Sequence, residues 1–446
     1  MATRSNPANA TSAPNYTVPF IIVTALFLIF GFLTNLNNNL APKLEDIFHL
    51  DHFWSNLVTS SWFFAYLFFS IPAAKVIELV GYKKTMVISL FVMVVGAILF
   101  VPAANMTSFP FFLAASFILA TGVTGLQTAA NPYVSILGPE HSAPARLNLA
   151  QAFNSLGNMV APIIVGVFIL TNSTAGMDQA AVAHTVVGPF IVVAVSLLVL
   201  GFIVMMLHLP AIDMTRPQRP VVDPSAPVEA DAPAPRSIWA HKHTVLAMFG
   251  IFMYVGLEVS LFANAIRFFE SQGNAVSDYV RMVQPFANMV SRLYPQGIGE
   301  KEVVGMLAAC YPLTMMIGRF AGTVVMKYIK AQHLLVALGI FGVALMLTGM
   351  LVTGHPAIWC VILCGLANSI MYPTIFALGI AELGPLTSKG SGIITQGCVG
   401  GAILPPLFGW LADKWNYQHA FLLIIVGYIF IIYFGISGYK PQRETA

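Results

Sequence analysis

Charge is scarce in this chain. Of 446 residues, 9% are Asp, Glu, Lys or Arg, against about 25% in soluble domains. The net charge of +3 is too small to argue for a nucleic-acid partner. Cysteine is also sparse: Cys310, Cys360, Cys364 and Cys398 fall inside apolar runs, at spacings that make neither a disulfide framework nor a metal site. HExxH and GxSxG are both missing, and no histidine lies in the middle of an apolar run, which argues against an intramembrane enzyme. The polar stretch Met1 to Tyr16 is not followed by the short apolar region of a cleaved leader, so the first apolar run is expected to be retained.

What is present is apolar: 57% of the residues are hydrophobic. One soluble core cannot hide that much apolar surface, so the solvent must be lipid. Runs of roughly 20 apolar residues bounded by charges, Pro or Gly predict twelve spans. They cover 18–41, 53–77, 85–105, 109–137, 146–171 and 185–208, then 243–268, 302–327, 332–353, 356–382, 390–411 and 418–438. The segment "PAIDMTRPQRPVVDPSAPVEADAPAPRS" between the sixth and seventh spans holds seven prolines and cannot be helical. It divides the chain into a six-helix bundle over 1–208, a linker over 209–241 and a second bundle over 242–446.

The halves echo each other. "NPYVSILG" (131–138) parallels "YPTIFALG" (372–379), and "NMVAPIIVG" (158–166) parallels "GAILPPLFG" (401–409), at offsets of 241 and 243 residues. Two matches at nearly one offset support a duplicated six-helix unit, a transporter plan with the site between the repeats. Twelve spans with a duplicated half also argue against a sensor without transport. If the N-terminus is inside, fourteen Lys and Arg residues fall on one face and six on the other, with Arg319 inside a span. That asymmetry predicts a multi-pass protein of the plasma (bacterial inner) membrane with both termini and the linker cytoplasmic.

Against this apolar background, amides are conspicuous. "FLTNLNNNLAP" ends the first span, and Thr34, Asn35 and Asn38 share one helical face, with Asn37 and Asn39 to the sides. Gln127 and Asn131 are i,i+4 in span 4, next to Pro132, which frees a backbone carbonyl. Gln151, Asn154 and Asn158 form one stripe on span 5; Tyr254 and Glu258 on span 7, Asn368 and Tyr372 on span 10 and Gln396 on span 11 complete the set. A single amide of this kind is commonly glue between helices. Several stripes, with Phe30, Trp62, Phe153 and Tyr372 on the same or neighbouring spans, predict a polar cavity instead. Uncharged donors and acceptors beside aromatic faces suit a neutral polyhydroxylated ligand.

"NLNNNLAP", "LQTAANPYVSILGPE", "RLNLAQAFNSLG", "GRFAGT", "YPTIFALGIAELG" and "GGAILPPLFGWLAD" resemble the fucose–galactose–glucose permease branch of the major facilitator superfamily, over nearly the whole chain. The resemblance implies the all-α, twelve-helix major facilitator fold, alternating access and sugar import coupled to a cation. Fucose-carrying members have an Asp in span 1 that couples protons and a Glu in span 4 that takes part in substrate binding. Here those positions are Asn38 and Gln127, which can hold a hydroxyl but cannot titrate. Asn35, Gln151 and Asn154 match the branch's sugar-contact positions, so recognition carries over better than coupling does.

Glu258 is the carboxylate left within a span, and an acid kept at that depth is a functional candidate by default. The structural alternative is an ion pair with Arg319, but that residue lies toward one end of its span, so direct contact is disfavoured. The expected substrate-binding set is therefore Asn35, Asn38, Gln127, Gln151, Asn154, Glu258, Asn368 and Tyr372, with Glu258 also the coupling residue. No cofactor is expected beyond a co-transported sodium ion or proton, and the protein is expected to act as a monomer. "ELVGYKKT" (78–85) and "KYIKAQH" (327–333) occupy equivalent places in the two halves and resemble degenerate gating loops, although ordinary positive-inside anchoring explains their lysines equally well. The external stretch 271–302 is expected to contain an amphipathic helix.

Overall fold

The computed structural model describes residues 16–48, 52–169, 181, 184–207, 209–210, 237–289 and 299–441. Most of the linker, including 211–236, lies outside them. Long helices account for nearly everything described, because a chain in hydrocarbon must satisfy its backbone polar groups internally. The spanning helices are α1 (Thr17–Phe48), α2 (His52–Val80), α3 (Tyr82–Asn105), α4 (Phe109–Ile136), α5 (Ala143–Ile169) and α6 (Val187–Met206). After the linker come α7 (Lys242–Glu270), α8 (Glu300–Val325), α9 (Ala331–Leu351), α10 (His355–Gly379), α11 (Gly384–Lys414) and α12 (Tyr417–Gly438). The predicted spans fall on these helices with ends displaced by a few residues. The largest displacement is in α1, which continues past Pro42 to Phe48. The predicted helix in the 271–302 stretch is Asn274–Met289; residues 290–298 lie outside the described set.

Large apolar side chains point outward, as a lipid solvent requires: Val192, Val195, Phe202, Ile340, Leu347 and Ile429 are all exposed. Inside each half the same pairings recur. In the first half α1 packs on α5, α2 and α3 pack on α4, and α3 on α6. In the second, α7 packs on α11, α8 and α9 on α10, and α9 on α12. Glycine permits the tightest of these crossings, since small residues let membrane helices approach backbone to backbone. A Cβ on Gly157 of α5 would run into the Leu28 carbonyl of α1, and one on Gly400 of α11 into the Phe252 carbonyl of α7. These two glycines stand 243 residues apart, the same offset as one of the sequence matches. The internal repeat is thus visible in the packing as well as in the letters.

The halves meet through α5 on α8 and α10, and through α11 on α2 and α4. Among the described residues, the hydrogen bonds that cross between halves run from mid-membrane to the end carrying the linker. Near that end Asn148 Nδ2 donates to Arg319 O at 2.6 Å and Thr323 Oγ1 at 3.0 Å, and Ser391 Oγ donates to Thr128 O at 2.6 Å. Further toward the middle Gln396 Nε2 donates to Leu67 O at 2.9 Å. In the "ELVGYKKT" segment it is Glu78 that reaches across, lying 3.6 Å from Lys389 Nζ. This conformation is closed at the linker end.

Candidate functional site

Two prolines in equivalent positions shape the centre. Pro132 of α4 and Pro373 of α10 have no N–H to offer the carbonyls four residues back, Thr128 and Ser369. Both carbonyls find donors elsewhere: Thr128 O accepts from Ser391 of α11, and Ser369 O accepts from Arg319 Nε at 3.1 Å. In α10 the helix is interrupted at Ser369–Ile370. The carbonyl expected from the Pro132 motif is therefore present, and it serves contact between the halves.

Beside these breaks the structure gathers part of the predicted polar set. Tyr372 is a hub between the halves: its hydroxyl donates to Gln127 Oε1 at 3.2 Å and accepts from Asn131 Nδ2 at 3.1 Å. Its ring stacks on Phe376 and tilts against Tyr254, with centroids 6.1 and 6.2 Å apart. The hollow bounded by Leu26, Phe27, Phe30, Leu126, Gln127 and Ala130 is about 10 Å³, room for roughly one water. Gln127 therefore lies at a closed seam here. On α5, Asn154 Nδ2 donates to Phe27 O at 3.2 Å. Gln151 makes no side-chain hydrogen bond among the described residues, although its backbone carbonyl accepts from Arg319. Asn35 is half-buried on α1, and the Asn38 side chain lies outside the described residues.

Asn368 is not brought into this group. It is fully buried in the second half, donating to the Tyr311 hydroxyl at 2.7 Å and accepting from the Tyr428 hydroxyl at 2.7 Å. Both ends of the amide are satisfied by its own bundle, the geometry of glue. Alanine substitution should separate the two kinds of amide. Gln127→Ala, Gln151→Ala or Asn35→Ala should weaken sugar binding by about 1–3 kcal/mol with little loss of folded protein. Asn368→Ala should cost stability by a similar amount, because two buried phenols lose their partner, and leave affinity unchanged. Wild-type affinity in the first three variants, measured by sugar titration and thermal unfolding, would make those amides glue as well.

Glu258 on α7 is half-buried. It forms no ion pair among the described residues, as its separation from Arg319 in sequence depth predicted. The two are nevertheless close enough to interact electrostatically, with Tyr254 between them interacting with both. Arg319 is the one fully buried charged side chain among the described residues. Its Nη1 donates to Gln151 O at 2.9 Å and to Ser155 Oγ at 2.6 Å, both on α5 across the interface. Sequence reading raised Arg319 as an ion-pair partner and did not foresee this bond set. The Ser369 carbonyl freed by Pro373 was the signal available for it. Among the described residues no cluster of three or more His, Cys, Asp or Glu forms a metal site.

The chain matches the Major Facilitator Superfamily over residues 22–395. It is 37% identical over 438 residues to the glucose/galactose transporter of Brucella abortus, covering 98% of both chains. It is 31% identical over 458 residues to the L-fucose-proton symporter of Escherichia coli, covering 99% of this chain and 97% of the relative. Its structure superposes on a crystal structure of the transporter FucP in the outward conformation with a TM-score of 0.77 and 28% identity, covering 95% of this chain and 99% of that one. Fold, internal repeat and relatives over almost the full length agree: this chain is a membrane transporter of the Major Facilitator Superfamily.

Proposed function

We propose that this transporter imports a neutral hexose of the glucose or galactose type by alternating access, in symport with a sodium ion or proton bound at Glu258. The observation that carries the sugar reading is the uncharged amide set Asn35, Gln127, Gln151 and Asn154 on α1, α4 and α5, with Gln127 bonded to Tyr372, whose ring stacks on Phe376. Such a lining offers donors and acceptors to hydroxyls without attracting charge. Relatives that carry glucose, galactose or fucose support the same class. The bundles 1–208 and 242–446 act as the rocking bodies of a monomer in the plasma (bacterial inner) membrane, with the linker and both termini cytoplasmic. The fourteen-to-six bias of Lys and Arg supports that orientation. In it, the closed linker end described above is the cytoplasmic end.

A second reading, uncoupled uniport, rests on Asn38 and Gln127, neither of which can release a proton. In that case Glu258 accepts hydrogen bonds from sugar hydroxyls. Uptake of a panel of labelled hexoses into proteoliposomes, with and without sodium and pH gradients, separates the two. Accumulation above equilibrium under a gradient supports symport, equilibration alone supports uniport, and no sugar flux under any condition overturns both.

The linker is expected to be a tether. Deleting several residues within 217–235 should leave counterflow within about twofold of wild type, because a flexible connection tolerates changes of length. Abolished counterflow in a monodisperse deletion variant would make the linker a working part.

A further inference from the structure

A buried guanidinium needs acceptors in every conformation the protein visits, since an unpaired charge at that depth is costly. In this conformation Arg319 has three neutral ones. Ser369 O belongs to its own half, whereas Gln151 O and Ser155 Oγ lie on α5 of the other half. Opening the linker end separates α5 from α8, because α5 and α8 form part of the closed interface. The two Nη1 bonds then break, and the Ser369 bond remains. The charged neighbour left within reach on the same half is Glu258, with Tyr254 between them. The Tyr254 hydroxyl is buried, already within reach of both Glu258 and Arg319, but makes no short hydrogen bond in the present conformation. A buried hydroxyl short of a full hydrogen bond is costly, and this one would be satisfied if the two charges closed on it.

Resting on the alternating-access reading, we propose that Arg319 is the positioning residue of the sugar site. Closed at the linker end, it fixes the α5 backbone that carries Gln151 and Asn154. Open there, it exchanges α5 for Glu258, bridged by the Tyr254 hydroxyl. Sugar affinity and the charge state around Glu258 are thereby linked through one side chain. The residue that orients the amides in one state occupies the carboxylate in the other. A cation bound at Glu258 competes with Arg319 and so favours the state in which the amide stripe is held.

The test is a distance measurement between spin labels at Leu79 and Tyr328, exposed residues at the linker end of opposite halves, in the full-length protein in lipid nanodiscs. Wild type should show a short and a long population. Arg319→Gln removes the bonds to α5 and should raise the long population about twofold or more. Glu258→Gln and Tyr254→Phe remove the alternative partner and should raise the short one by a similar factor. Tyr254→Phe should fold close to wild type, because its hydroxyl makes no short hydrogen bond in the closed state. Where Arg319→Gln does not insert, Ser155→Ala removes one Nη1 acceptor and should shift the distances the same way by less. Shifts in one common direction, or none in Tyr254→Phe and Glu258→Gln, would overturn the exchange. A single distance in wild type, unmoved by glucose or galactose, would overturn alternating access itself and the exchange with it.

Discussion

Glu258→Gln is expected to abolish gradient-driven sugar accumulation while sparing counterflow. Counterflow requires that the loaded carrier reorient, and an uncharged amide of the same shape can still accept from sugar hydroxyls. Accumulation requires that a cation bind and leave with the cycle, and at this site the carboxylate is what would hold it. The expected loss is complete for accumulation and less than about tenfold for counterflow affinity, within the 1.4 kcal/mol that one altered hydrogen bond spans. Retention of concentrative uptake by the Gln variant would remove Glu258 from coupling. The complementary substitution, Asn38→Asp, restores a titratable group where fucose-carrying relatives have one. It should introduce a pH dependence of uptake that the parent lacks, read as initial rates across the neutral range.

Gly157→Val and Gly400→Val are expected to lose most of the folded protein. At each site the obstructing atom is a backbone carbonyl oxygen of the facing helix, Leu28 O or Phe252 O, and no rotamer change can move it aside. The helices must separate along their length, at or above the about 1–3 kcal/mol typical of overpacked cores. Gly409→Val is the control, since a Cβ there meets nothing within 4 Å. Size-exclusion profiles and thermal unfolding in detergent should show the first two variants aggregated or strongly destabilised and the control unchanged. Equal behaviour of all three would mean that the α1–α5 and α7–α11 crossings are not fixed by glycine.

The two predictions draw on different levels of legibility. Glu258 could be picked out from letters alone, because an acid within an apolar run violates the cheapest rule of membrane insertion. The glycines could not: 35 of them occur in the chain, and which ones sit under a neighbouring backbone depends on which helices cross. Asn368 shows the same limit from the other side. Its i,i+4 spacing with Tyr372 placed both toward one cavity. The structure instead turns Asn368 into its own bundle, between Tyr311 and Tyr428, because Ser369–Ile370 interrupts the helix between them. A spacing argument holds only while the helix stays regular.

By itself the sequence determined that this chain crosses a membrane many times, that its halves echo each other, and that most polar side chains within its spans are uncharged amides, apart from Glu258 and Arg319. Those properties follow from hydropathy, periodicity and residue chemistry, which are local and survive any arrangement of the helices. Tertiary structure alone decided which amides meet, that Tyr372 joins Gln127 and Asn131 across the halves, and that Arg319 spends its charge on the carbonyls of Gln151 and Ser369 and on the Ser155 hydroxyl. Such contacts join residues up to 245 positions apart. They are set by how helices pack across an interface, and the order of letters along one helix carries no record of what lies opposite it.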